Sequence, residues 1–239
     1  MHKLTLLFTK DSLQWAINKV SSYREESFFE DKEISNITVF EKLGEILKYK
    51  GIKKINVISA YNSFSILPYG FEKHNMGHKF ISYNTHVDND SEELMLAINK
   101  RFNLQFYYTL PKIFYYKIKS IDVPLFFNFS GERFLARAAS TEAKEQLHIN
   151  LYHNQVEFFI VKDKRLILYN NLNADSDVDF LYFIIFAVSK LNLDLRKLQF
   201  LLYGEIDEND TFVSELQKFA ENVFIVEKNI RNKRNFILK

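Results

Sequence analysis

The sequence predicts an α/β protein made of two copies of one unit: three strands, a helix and a further strand, β-β-β-α-β with a mixed sheet in each copy. Three observations predict it. Apolar residues alternate at Leu4, Leu6, Phe8, Leu13, Trp15 and Ile17, and again at Leu147, Ile149, Leu151, Val156, Phe158 and Ile160. Each alternating set is followed by a segment with helical periodicity. A single offset of 143 positions relates the two halves, setting Leu4 on Leu147, Phe40 and Leu43 on Phe183 and Phe186, and Ile55 and Val57 on Leu198 and Phe200. Self-similarity at a fixed spacing is the mark of a repeated supersecondary unit.

The first hairpin turns at Lys10-Asp11-Ser12, and a charged third strand follows near Glu26–Phe29. NITVFEKLGEILKYKG then puts Ile37, Phe40, Leu43 and Leu47 on one helical face, with Ser35 or Asn36 to cap it and Gly51 to stop it. Lys54 to Ser59 is a buried strand, and Trp15 is expected to share its sheet. Phe64 to Pro68 is a second strand, ending at proline, and polar residues His74 to Ser91 are read as a loop. Strands at Leu94–Ile98 and Leu104–Tyr108 precede a short helix from Pro111, a strand at Leu125–Phe129 and a helix from Glu132 to Ala139.

The second half opens at Gln146 with three strands joined at His153-Asn154 and Asp163-Lys164. Asp177-Val178-Asp179 starts a helix to about Leu191, in which Phe183 and Phe186 are expected to pack on the second sheet. LQFLLYG is a buried strand, Asp210 to Asn222 a helix and Val223 to Val226 a last strand. The domains expected are therefore 1–140, 141–226 and a basic tail, 227–239.

Composition removes whole classes of chemistry. With no cysteine there are no disulfides, thiolate metal sites or thiol nucleophiles. The six glycines are too widely spaced for a dinucleotide-binding GxGxxG or a P-loop. The apolar stretch Leu4 to Phe8 is too short for a secretory leader, and FLYFIIFAV too short to span a membrane, so a soluble cytoplasmic protein without membrane contact is expected. Lys228, Arg231, Lys233, Arg234 and Lys239 against Glu227 give the tail +4, leaving −2 for the body of a chain whose net charge is +2. A basic run can contact nucleic acid, but it is more often a solvated chain end.

FSILPYGF (Phe64–Phe71), LILYNNL (Leu166–Leu172), the DFLYFIIF helix (Asp179–Phe186) and LLYGEI (Leu201–Ile206), with the duplicated strand order, resemble a bacterial family, number 3822 in the series of domains of unknown function. Its members are similar in fold to the actin/hexokinase/Hsp70 ATPases, a ribonuclease H-like architecture. That resemblance implies two Asp-x-Gly turns, one per lobe, whose aspartates hold a metal and whose glycines admit phosphate, and a Gly-Gly step that lies against adenosine. The residues two before the six glycines are Lys42, Tyr49, Pro68, Asn75, Phe129 and Leu202, so no Asp-x-Gly exists. Phe8 and Leu151 stand where the aspartates belong, Lys10 and His153 where the glycines belong, and Gly204 is followed by Glu205. Any surviving nucleotide contact falls to Gly204, Lys10, Asp11, His153 and Asn154, provided a cleft between the lobes is retained.

Other candidates are ordinary by spacing. His74 and His78 are four apart near His86, but position 75 is asparagine and Gly77 argues against a helix. His148 and His153 lack a third ligand. Asp175, Asp177 and Asp179 precede an apolar helix and suit its N-terminus. The expected function is a non-catalytic actin-like scaffold or binding protein with a degenerate nucleotide site, no catalytic residues, no metal and no cofactor, acting on a protein partner. The alternatives are a divergent actin-like protein that binds or hydrolyses ATP, and a nucleic-acid accessory protein that uses the basic tail.

Overall fold

The computed structural model describes residues 2–18, 23–29, 36–71, 76–152, 154–173, 176–204, 206–226 and 235–238. The chain forms two compact units, Met1–Ala136 with Ile237–Lys239, and Arg137–Phe236.

The first unit runs β1 (His2–Phe8), β2 (Ser12–Asn18), β3 (Tyr23–Phe29), α1 (Asn36–Leu47), β4 (Ile52–Ser59), β5 (Phe64–Pro68), α2 (Gly77–Ser82), β6 (Glu92–Asn99), β7 (Leu104–Pro111), α3 (Lys112–Lys119), β8 (Leu125–Phe129) and α4 (Ser130–Arg137). Its main sheet has the order β3-β2-β1-β4-β8. β1 is antiparallel to β2 and parallel to β4, so Leu6 lies opposite Trp15 on one side and Val57 on the other. Trp15 is buried in that sheet, as expected. The alternating apolar face meets Val39, Leu43 and Ile46 of α1 and Phe114 and Ile118 of α3. Residues between β4 and β8 add a three-stranded antiparallel sheet, β5-β7-β6, held to β8 by Phe129 packing on Phe64, Phe106 and Tyr108.

The second unit runs β9 (Glu145–Tyr152), β10 (Gln155–Lys162), β11 (Arg165–Asn173), α5 (Asp177–Lys190), β12 (Gln199–Gly204), α6 (Thr211–Leu216) and β13 (Asn222–Ile225). Its sheet order, β11-β10-β9-β12-β13, repeats the main sheet of the first unit strand for strand. Asp163 and Lys164 both take positive φ, 48° and 65°, the geometry of a two-residue hairpin turn whose twist suits the flanking strands. Ser176 caps α5: its side chain accepts from the Asp179 N–H and donates to the Asp179 carboxylate at 2.7 Å. Asp177 and Asp179 occupy the first turn, where the helix dipole favours them.

Several expectations are corrected. The hairpins follow the offset of 143, Leu6–Trp15 against Ile149–Phe158, but the parallel strands do not. Leu4 pairs with Ile55 and Leu147 with Phe200, so the equivalence there grows to 145, because the connection from hairpin to parallel strand is two residues longer in the second unit. The helix faces slip too. Ile37 is exposed while Val39 and Ile46 are buried, and Phe183 and Phe186 face outward while Phe180, Leu181, Ile184 and Val188 fill the core. Both helices have more apolar residues than one stripe needs, so periodicity alone admits two faces.

The stretch read as a loop at 74–91 contains α2, with Gly77 as its first residue. A Cβ there would lie 2.7 Å from the Tyr107 ring, so glycine lets the helix seat on β7. The helix expected at Asp210–Asn222 ends at Leu216. The basic residues of 227–239 lie outside the described residues, but Asn235 to Leu238 are buried rather than solvated.

Candidate functional site

The ends of the two hairpins are the positions at which a nucleotide site is sought, and each is built from its own unit. In the first unit β1 delivers Phe8 into the core, fully buried. The turn that follows closes on itself: the Thr9 N–H donates to the Ser12 carbonyl at 3.0 Å, and the Thr9 hydroxyl donates to Asp11 Oδ1 at 3.0 Å. The Thr9 and Ser12 hydroxyls share a 2.6 Å hydrogen bond. Lys10 is exposed at the tip and Asp11 half-buried beside it.

β4 ends alongside, where the Ala60 N–H donates to the Phe8 carbonyl at 2.7 Å and the Ser59 hydroxyl to the Thr109 carbonyl at 2.7 Å. Burial first, and then the charges of Glu92 and Asp11, push the Tyr61 phenol well above its ordinary range. Burial likewise raises the Glu92 carboxyl, whose Oε2 is buried without a hydrogen bond. Two carboxylates therefore share the neighbourhood of one phenol, a locally negative corner.

In the second unit Leu151 takes the position of Phe8 and is buried in the core. Gly204 ends β12 opposite it, with φ 93°. A Cβ on Gly204 would lie 2.1 Å from the Leu151 carbonyl oxygen and 2.6 Å from Asn150 Oδ1, so contacts inside the sheet already require glycine there. Asn154 is exposed at the β9–β10 turn, and His153 lies outside the described residues. So does Glu205.

Behind this strand end lies a buried polar cluster that the sequence reading missed. Glu157, with no exposed surface, accepts from Tyr152 Oη at 2.8 Å, from Asn150 Nδ2 at 3.3 Å and from Tyr169 Oη. Asn235, from the C-terminal segment, donates to Asn150 Oδ1 at 2.8 Å and to the Leu151 carbonyl at 3.4 Å. Phe236 packs on Tyr203 with ring centroids 4.9 Å apart. His148 is sandwiched against Phe159 and hydrogen-bonded to Gln146 and Tyr203. The signal was present: Gln146, His148, Asn150 and Tyr152 alternate with the apolar residues of β9, as Gln155 and Glu157 do on β10. A polar alternate face ordinarily reads as solvent-facing.

The remaining candidates do not assemble. His78 and His86 are exposed, and His74 and Asp175 lie outside the described residues. Among the described residues no three His, Asp or Glu side chains gather in a way that could hold a metal ion. No described helix is long and apolar enough to cross a membrane.

The model of the family described as Protein of unknown function (DUF3822) matches residues 1–223. No curated protein matches the sequence. Among solved structures, a Bacteroides thetaiotaomicron protein with an actin-like ATPase fold and unknown function is similar at 18% identity, with a TM-score of 0.76 over 93% of this chain and 90% of that one. A chain of the PilM-PilN type IV pilus biogenesis complex is similar at 8% identity, TM-score 0.60, over 92% of this chain and 86% of that one. The cytoplasmic domain of EpsL, an inner membrane component of the type II secretion system of Vibrio cholerae, is similar at 12% identity, TM-score 0.51, over 87% and 84%. At these identities the likeness establishes an actin-like ATPase fold.

Proposed function

The chain belongs to the family described as Protein of unknown function (DUF3822) and has an actin-like ATPase fold; on that premise we propose that it is a non-catalytic member of the fold, acting by binding a protein partner. The observation that carries this reading is the fate of the two hairpin ends. Phe8 and Leu151 sit in the two hydrophobic cores, so neither of these two positions supplies a carboxylate to organise a metal and its attacking water. The groups around them bond to one another: Thr9 with Asp11 and Ser12 in one unit, Asn150 with Asn235 in the other. Two of the similar structures come from a pilus biogenesis complex and a secretion system, which favours a role in an assembly.

A second reading, ATP binding through other residues, draws on the carboxyl groups of Asp11 and Glu92, which lie near Tyr61 beside the first hairpin. Calorimetric titration with Mg·ATP and with ATP alone, together with a phosphate-release assay, separates the two. The expected result is no saturable heat and no phosphate. Micromolar binding, about −8 kcal/mol, lost on Asp11→Ala or Glu92→Ala, would overturn the first reading in favour of the second.

A further inference from the structure

The parallel strands β1, β4 and β8 begin at one end of the first unit: His2 lies opposite Ile52, and Ile55 opposite Leu125. α1 leads into β4 and α3 into β8, so both helices run down to that end. They do so side by side, with Lys117 Nζ 4.7 Å from the Phe40 ring centroid. The chain at this end reads KYKGIKK (48–54) and KIKSIDVPLF (117–126), six lysines against one acidic residue, Asp122. Lys48, Lys50, Lys53 and Lys119 are exposed, and Lys54 and Lys117 half-buried. Among the described residues none of the six is in an ion pair. Glu45, near the end of α1, is already held by Lys42 at 2.8 Å.

The helix dipole accounts for two of these lysines. Lys117 and Lys119 stand in the last turn of α3, where cations are favoured. α1 has no basic residue in its last turn, and Lys48, Lys50, Lys53 and Lys54 lie beyond it. Like charges gathered without counter-charges repel one another, and a polyanion relieves that repulsion. Aromatic rings are interleaved with the lysines. Tyr49, between Lys48 and Lys50, is 37% exposed, Tyr116 59% and Phe126 51%. Lys54 Nζ stands 4.0 Å from the Phe126 ring centroid, and Lys119 Nζ 5.7 Å from that of Tyr115, which Tyr116 meets edge-on. Cations alternating with exposed rings suit a phosphate backbone whose unpaired bases can stack. An anionic bilayer calls instead for apolar side chains that enter the acyl layer. The exposed aliphatic residues of α1 and α3, Ile37 and Ile113, lie at the far ends of those helices. The rings at the lysine end carry a hydroxyl or, at Phe126, a cation over the face. The two lysine segments contain no arginine to grip a base edge with two bonds, so the contact is to the backbone and without sequence preference.

We propose that the end of the first unit where β1, β4 and β8 begin is a binding surface for single-stranded nucleic acid, with Lys48, Lys50, Lys53, Lys54 and Lys119 on phosphates and Tyr49 and Tyr116 stacking on bases. The hairpin end is at the other end of β1, about 20 Å away for a strand of seven residues. The inference therefore goes beyond the protein-partner reading and stands or falls apart from it.

Fluorescence anisotropy of a labelled oligothymidylate, titrated at low salt with the full chain, tests it. The expected result is saturable binding whose log K falls with log salt at about 0.7 per phosphate contacted. Lys48→Glu, Lys50→Glu and Lys53→Glu together should weaken binding by about tenfold or more and flatten that slope. The thermal midpoint of this variant should be no lower than that of wild type, because all three side chains are exposed. Lys197→Glu, an exposed reversal in the second unit, should leave the affinity unchanged. Tyr49→Ala with Tyr116→Ala should weaken the oligothymidylate by about fivefold or more, yet leave inorganic polyphosphate, which has the charge without the bases, bound as by wild type. A chain with no saturable binding at low salt would overturn the proposal. So would binding indifferent to the three lysine reversals, or lost instead on Arg231→Gln, Lys233→Gln and Arg234→Gln in the tail. Ring variants that weaken both probes, or neither, overturn it as well. A chain that ignores the oligothymidylate but sediments with phosphatidylserine vesicles through the same lysines does so equally.

Discussion

Gly204 shows how little room a single position can have. Its φ of 93° is one that L side chains rarely adopt, and any Cβ would run into the Leu151 carbonyl. Gly204→Ala should therefore destabilise the second unit by about 3 kcal/mol or more, since the backbone strain alone is of order 1–3 kcal/mol; denaturant titration reads it. Glu92 carries a different kind of strain. Its carboxyl is raised above the ordinary 4.5 because burial penalises the charge. The native state therefore favours the protonated form, and the associated stability is present below pH 4.5 and is lost as pH rises through the raised native value. Glu92→Gln should accordingly stabilise the protein at pH 7, with an advantage over wild type that fades as pH falls toward 4. An advantage independent of pH would show that the charge is not the cause.

At the scale of elements, α5 is the informative one. Ile184 has no exposed surface and Phe186 is half exposed, two residues away. Ile184→Ala should lower stability by about 2–5 kcal/mol, as for a buried aliphatic truncation, while Phe186→Ala should stay within about 1 kcal/mol of wild type. Equal effects would mean that the helix is rotated from the face described here. The stripe around Phe180 and Ile184 is not distinguishable in sequence from the stripe around Tyr182 and Phe186, because both recur at helical spacing in DVDFLYFIIFAVSK. Strands were easier to read. Leu4, Leu6 and Phe8, and Leu147, Ile149 and Leu151, alternate unambiguously, and the pairing of β1 with β2 and β9 with β10 follows from them.

For the whole molecule, the C-terminal segment matters out of proportion to its length. The chain leaves the first unit after Ala136, and Ile237–Lys239 group with that unit again, while Asn235 and Phe236 belong to the second. Asn235 satisfies Asn150 Oδ1, and Phe236 accepts from Arg137 Nη1 through its carbonyl at 3.2 Å. Deleting residues 235–239 should lower the denaturation midpoint, because a buried acceptor left unpaired costs about 1–3 kcal/mol and the apolar contacts of Phe236, Ile237 and Leu238 go with it. A truncated chain as stable as the full one would show that the segment is not needed for the fold.

The sequence by itself determined the class of the fold, the repeated order of strands and the absence of every Asp-x-Gly, because alternation, turn chemistry and motif spacing are local properties of the chain. Only the tertiary structure decided which face of each helix is inside, that the parallel strands are equivalent at 145 rather than 143, and that Asn150, Glu157 and His148 are buried together. Those outcomes depend on what covers a face and on the length of the connection that brings a strand back. Neither leaves a periodic trace in the residues that experience it.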